Sequence, residues 1–228
     1  MEKILYPVWK SAEQDADDFR EALLNKVAPA LLVAGIRGLR ISVVDNAVTP
    51  AAGLRQESLG PGLDGMLSVW VDSATTRQPL EAIIAAHCER LCGYLVTESE
   101  PLCSDTPVGA RTEGMCQIVF LHRPERLSEA QWLEIWQGSH TQVAIDTQST
   151  FGYRQNVVVR VLTDGAPPVD AIVEENFPDA AMSSPHAFYN VETDEQLQAN
   201  LKAMIDSCAR FIDFDRLTVV PTSEYLLK

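Results

Sequence analysis

"GLRISVV" (residues 38–44) and "GYRQNVV" (residues 152–158) share a glycine, an arginine two residues on and a closing Val-Val, at a shift of 114. Arg40 and Arg154 coincide. Two further pairs follow: "LDGMLSVWV" (63–71) answers "VDAIVEENF" (169–177), and "SEPL" (99–102) answers "SEYL" (223–226). The chain is therefore read as an internal duplication before any element is assigned.

Apolar periodicity predicts strands at 3–10, 38–45, 64–72 and 94–102, with helices at about 13–33 and 79–93 and a Gly- and Pro-rich loop up to 62. After "CSDTPVGARTEG" (103–114), a linker by composition, the same order returns. Strands fall at 115–123, 152–162, 169–177 and 217–227, and helices at 128–147 and 193–212. Each half reads as a βαββαβ unit. The expected fold is α+β: an N-terminal ferredoxin-like unit at 1–103 (the diverged copy), a linker at 104–114 and a C-terminal unit at 115–228. Such a unit carries both helices on one sheet face. Strands such as "KILYPVW", "QIVFL" and "NVVVRVL" are apolar at consecutive positions, so the other face must be buried as well. Two antiparallel sheets facing each other as a pseudo-dimeric α/β barrel meet that requirement. The enclosed space between them is the expected ligand site.

Composition narrows the partners. A formal charge of −14 among 228 residues repels phosphate backbones and anionic lipid, so neither nucleic acid nor a membrane surface is expected. No stretch approaches the ~20 apolar residues of a membrane helix, and the N-terminus does not read as a signal peptide. Five cysteines (88, 92, 103, 116, 208) and no Asn-x-Ser/Thr sequon point to reduced thiols and a cytoplasmic location. Cys88 and Cys92, beside His87, lie one helical turn apart. In the repeat they fall on Cys208 and Ile212, as small core positions do, and no second pair completes a metal site. No metal is expected.

Two groups are candidates for chemistry. In "EIWQGSHTQV" (134–143), Trp132, Trp136, His140 and Val143 share one quadrant of a helix, which aims the imidazole at the interior. A lone histidine on an apolar face is usually structural. The first copy, however, builds this helix with Phe19, Leu23 and Val27 where the second has Trp132, Trp136 and His140, so the fold does not require the ring. Gly138 costs about 1 kcal/mol relative to Ala in a helix interior, and marks either a close approach or a kink. Glu174 and Glu175 point to opposite faces of their strand, and Glu174 stands where the first copy has Ser68. The inward carboxylate must be paired, protonated or in use, with Arg154 or Arg210 as the structural partner. The segment "PDAAMSSPHAFYN" (178–190) reads as a lid or as a loop anchored by its own aromatics. No Gly-rich phosphate loop, nucleophile elbow or Rossmann fingerprint occurs.

The run "IVFLHRPERLSEAQWLEIWQGSHTQVA", with "FGYRQNVV", "VDAIVEENF" and "ARFIDFDR", makes the second half resemble the EthD-like family of the dimeric α/β barrel superfamily. The first half looks like a diverged copy, with Val27 and Ser68 where the family has His and Glu. The resemblance implies a hydrophobic pocket in each unit, competent only in the second. EthD is associated with bacterial ether degradation; relatives include cofactor-free decarboxylases and cyclases of aromatic polyketides and muconolactone isomerases, and other branches bind haem. The expected function is a cofactor-independent lyase or isomerase acting on a small aromatic or apolar acid, lactone or ketone. His140 is the expected general acid/base, since a near-neutral imidazole suits proton transfer beside a carbonyl. Glu174 orients or charge-balances it, and Trp136, Tyr153, Arg154 and Phe177 bind substrate. The competing readings are a non-catalytic carrier of a hydrophobic small molecule, and a haem protein with His140 as axial ligand. Fusion implies either a monomer with an internal pseudo-dimer or a further homodimer.

Overall fold

The computed structural model describes residues 1–58 and 62–228. Residues 59–61, at the end of the expected Gly- and Pro-rich loop, lie outside the described residues. In chain order the elements are β1 (Glu2–Trp9), α1 (16–33), β2 (Gly38–Val43), β3 (Gln56–Glu57), β4 (Gly65–Val71), α2 (Gln78–Ala85), β5 (Arg90–Leu91), β6 (Tyr94–Leu102), β7 (Ala110–Arg111), β8 (Met115–Leu121), α3 (129–147), β9 (Gly152–Val161), β10 (Ala171–Phe177), α4 (Pro185–Phe188), α5 (Asp194–Cys208) and β11 (Thr218–Leu226). The eight longer strands run antiparallel in the order β2-β4-β1-β6-β9-β10-β8-β11, and β11 pairs back onto β2. The sheet therefore closes into a barrel. Within each half the four long strands take the order second-third-first-fourth, and the fourth strand of each half pairs with the second strand of the other.

Local chemistry sets the helix starts. The Asp15 side chain accepts the Asp17 N–H, and Ser128 and Thr193 form capping boxes with Gln131 and Gln196. Both long helices also widen at one place. The Ala28 N–H reaches the Leu23 carbonyl, and the Thr141 N–H reaches that of Trp136, five residues back in each case. These π-type turns span Leu23–Val27 and Trp136–His140, the positions that the repeat superimposes.

Strand alternation explains the consecutive apolar runs. Ile4, Tyr6 and Val8 of β1 pack with Phe19, Leu23 and Val27 under the helices, while Leu5 faces the barrel interior with Met66, Cys116, Ile118 and Val220. Both faces are buried, as the sequence required. Among the described residues, side chains occupy most of the space expected between the sheets: a cavity of about 70 Å³ remains beside Leu63, Tyr94, Phe120 and Val169, and the centre is ionic. Helix 79–93 was read too long, because the chain turns after Ala85 and adds β5 to β1. The linker is not inert either; β7 pairs with β11, and the Thr112 hydroxyl donates to Glu224 at 2.9 Å. Gly114, at φ +77°, ends it where an added Cβ would sit 1.9 Å from the Phe177 carbonyl oxygen. No helix among the described residues is long and apolar enough to cross a membrane.

Candidate functional site

The adjacent glutamates of β10 enter two different environments. Glu174 points into the barrel and is fully buried. Lys3 Nζ donates to it at 2.7 Å, Asn156 Nδ2 at 3.0 Å and Ser68 Oγ at 3.1 Å, while the Arg40 and Arg154 guanidinium groups each lie 3.8 Å away. Burial alone would raise its pKa, but Lys3, Arg154 and Arg40 hold the carboxyl far below the usual carboxylate range. Ser68, its counterpart in the repeat, thus meets it across the interior. Arg154 also pairs with Glu224. Neither Glu174 nor Arg154 lines the cavity described below; both stand in an ionic cluster with Lys3, Arg40 and Glu224 where the halves meet. Phe177 does not line that cavity either. It stacks on Phe188 with centroids 4.4 Å apart, among Val48, Met115, Ala181 and Met182, where the segment 178–190 meets the 46–54 turn of the first half.

The cavity lies elsewhere, between the outer face of the second half's strands and its helices. It has a volume of about 590 Å³. Trp136 and His140 of α3, Met204 and Cys208 of α5, and Phe211 form one wall; Gln117, Val119, Tyr153, Val173 and Glu175 form the strand floor. Ala181, Met182 and Phe188 border it as well, so the 178–190 segment both anchors itself and covers the cavity. Gly53, Leu54 and Gln56 of the first half reach the same rim.

Strand register places the polar groups. Glu175 stands opposite Tyr153 on β9 and Gln117 on β8, so the three form one row across the floor. Trp136 Nε1 donates to Tyr153 Oη at 3.3 Å. Glu175 is buried, and its Oε1 has no hydrogen-bond partner among the described residues; the same holds for Oε1 of Gln148 on the cavity lining. Burial raises the Glu175 pKa to about 8, with only the Thr150 hydroxyl acting against it. At neutral pH this carboxyl is mostly protonated.

His140 is buried, with its ring 4.5 Å from that of Phe211 and Nδ1 2.9 Å from Ser207 Oγ. Burial, and secondarily the Arg210 charge, lowers its pKa to about 4, so the ring is neutral at pH 7. Burial pushes the Cys208 thiol up to about 12, which disfavours thiolate chemistry. Among the described residues no three His, Cys, Asp or Glu side chains converge as a metal-binding group.

The first half shows what this site looks like when it is closed. Its row equivalent to Gln117–Glu175–Tyr153 is Ile4–Val69–Leu39, and Val27 replaces His140. All four are fully buried in one hydrocarbon core. Sequence reasoning set Ser68 beside Glu174 and left open which glutamate faces the pocket; the one that lines the cavity is Glu175. The signal was one residue further on, where Glu175 replaces Val69 at a helix-facing position. Gln148 and Ser207 carried no comparable mark.

Residues 124–215 match the EthD domain. No curated protein matches the chain. Among solved structures, an anthrone oxidase-like protein superimposes with a TM-score of 0.57 at 10% identity, covering 100% of this chain and 91% of that one. A dye-decolorizing peroxidase from Bacteroides thetaiotaomicron gives a TM-score of 0.51 at 8% identity, covering 99% and 92%. At these identities the likeness concerns the fold alone. The segment that builds the wall of the cavity lies within the stretch, residues 124–215, that is similar to the EthD domain.

Proposed function

We propose that the cavity of the second half binds a small, uncharged, apolar carbonyl compound and moves a proton at the carbon beside the carbonyl, as a cofactor-independent enzyme of the isomerase or lyase type. The observation that carries this reading is Glu175: a buried carboxyl, with one oxygen unpartnered among the described residues, facing an apolar cavity large enough for a fused-ring ligand. Two groups compete for the role of proton carrier, and their pKa values decide between them. His140, at about 4, is a weak base, whereas Glu175, at about 8, lies close to working pH. The ionised fraction of Glu175, roughly a tenth at pH 7, takes the proton from carbon. The electron pair of that C–H bond passes to the carbonyl oxygen, where His140 meets it. Protonated Glu175 then returns the proton to the same carbon or to a conjugated one.

Among the described residues the lining holds no Lys or Arg. A carboxylate ligand would be desolvated without a counter-charge and would face Glu175, which narrows the expected acid, lactone or ketone to the last two. Haem fits poorly for the same reason, as its propionates find no cation there. In the same reading the chain is two fused ferredoxin-like units, at 1–103 and 115–228. Their common strand order and superimposed π-type turns support this, and fusion supplies the pairing that relatives achieve by homodimerisation.

The test is a panel of uncharged aromatic ketones and lactones beside carboxylates of the same shape, incubated with the protein in D2O. Binding of the uncharged members, with deuterium appearing beside their carbonyl, is expected. Preference for the carboxylates, or binding throughout without deuterium uptake, overturns the enzymatic reading; the second outcome indicates a carrier.

A further inference from the structure

The polar groups behind His140 go beyond what a structural histidine needs. Arg210 Nη2 donates to Ser207 Oγ at 3.0 Å and to Ser139 Oγ at 3.1 Å. Ser139 already donates its own proton to the Ile135 carbonyl at 2.8 Å, so its oxygen is an acceptor for the guanidinium. Ser207 Oγ is the other acceptor, and the ring nitrogen 2.9 Å away is the one acceptor shown within reach of its single proton among the described residues. A guanidinium can only donate, and a hydroxyl that accepts from a cation donates more strongly in turn. The chain of bonds thus runs one way, from Arg210 through Ser207 to Nδ1.

We infer that Ser207, held by Arg210, is a positioning residue that fixes His140 as the neutral Nε2–H tautomer, so that the ring serves the cavity as a hydrogen-bond donor to a ligand's carbonyl oxygen rather than as a base. This rests on the cavity being the reaction site. The packing agrees with it. Phe211 closes one side of the ring, and Nε2 makes no hydrogen bond to the described residues, which leaves it for the cavity that His140 lines. The titratable groups that share the cavity with the ring are Cys208 on α5, Tyr189 after α4, and Tyr153 and Glu175 on the strand floor, and Arg210 lies beyond α5. Arg210 is the charge that acts on the ring, and it opposes a second proton. A neutral imidazole donor aligns with the charge that develops on a carbonyl oxygen as the neighbouring carbon loses its proton, with no charge of its own to bury.

The experiment is nitrogen NMR of protein labelled with 15N-histidine. The sequence has four histidines, and His140→Val identifies the signal. At pH 7 the expected spectrum shows a pyridine-type Nδ1 and a pyrrole-type Nε2, unchanged down to about pH 5. Ser207→Ala should turn this into an averaged mixture of tautomers, Ser207→Thr should restore it, and Arg210→Gln should move the ring's titration toward the ordinary histidine range. A pyrrole-type Nδ1 at pH 7, a charged ring at pH 7, or a spectrum indifferent to Ser207→Ala overturns the inference. Because the readout needs no substrate, it is independent of whether the panel above yields turnover.

Discussion

Replacing Glu175 with Gln keeps the shape of the side chain and removes its titration, and the consequence for stability follows from its surroundings. In the unfolded chain this carboxyl ionises near 4.5; in the cavity it does so near 8. The folded-state value is the higher one, so between these pH values the native protein holds a proton that the unfolded chain has lost. Its contribution to stability is therefore greatest below pH 4.5, declines as pH rises and levels off above pH 8. At ~1.4 kcal/mol per pH unit the whole decline comes to about 5 kcal/mol. Urea unfolding of both proteins at intervals from pH 4.5 to 9 measures it. The wild type should lose stability relative to Glu175→Gln by that order as pH rises, with the difference flat beyond pH 8. Parallel stability curves across the range would refute the reasoning, since they would mean that the carboxyl ionises in the fold much as it does in water.

Other outcomes follow from the same structure. Glu174→Gln withdraws a carboxylate from three buried cations and should cost about 3–5 kcal/mol in urea unfolding at pH 7; because its folded pKa is depressed, the wild-type contribution is present above the ordinary carboxylate range and fades as pH falls below it. Gly138→Ala should raise stability by about 1 kcal/mol, because the added methyl meets only Glu134 Cγ at 4.0 Å; a loss measured by the same unfolding curve would show that the widened turn at Trp136–His140 needs the glycine. Gly114→Ala should unfold or severely destabilise the protein, since its Cβ would overlap the Phe177 carbonyl. A thermal midpoint equal to wild type would contradict that placement.

The architecture was largely legible because the repeat and the strand pattern carry the same information. Consecutive apolar residues in "KILYPVW" could only mean that both faces of β1 are covered, and the matched Arg40 and Arg154 turn out to lie beside the same two carboxylates, Glu174 and Glu224. The site was legible only in part. A helix of 3.6 residues per turn fixes which side of α3 is apolar, so the inward aim of Trp136 and His140 was readable, whereas Tyr153 entered with the resemblance and not from a pattern in its strand. Alternation also says that Glu174 and Glu175 diverge, but in a closed barrel both directions are inward. Which carboxyl meets cations depends on Lys3, Arg40 and Ser68, more than a hundred residues away. Separation in the chain likewise hid the clasp of Phe177 with the 46–54 turn and, across 67 residues, the seat of Ser207 behind His140, because these contacts are set by tertiary packing and leave no local pattern.

The central claim is that the chemistry belongs to Glu175 beneath the helices and not to Glu174 inside the barrel. The direct measurement is deuterium uptake beside the carbonyl of a bound aromatic ketone, compared per folded molecule for wild type, Glu175→Gln and Glu174→Gln. The account predicts exchange abolished in Glu175→Gln and retained in Glu174→Gln. Exchange that survives in Glu175→Gln, or is lost only in Glu174→Gln, contradicts it.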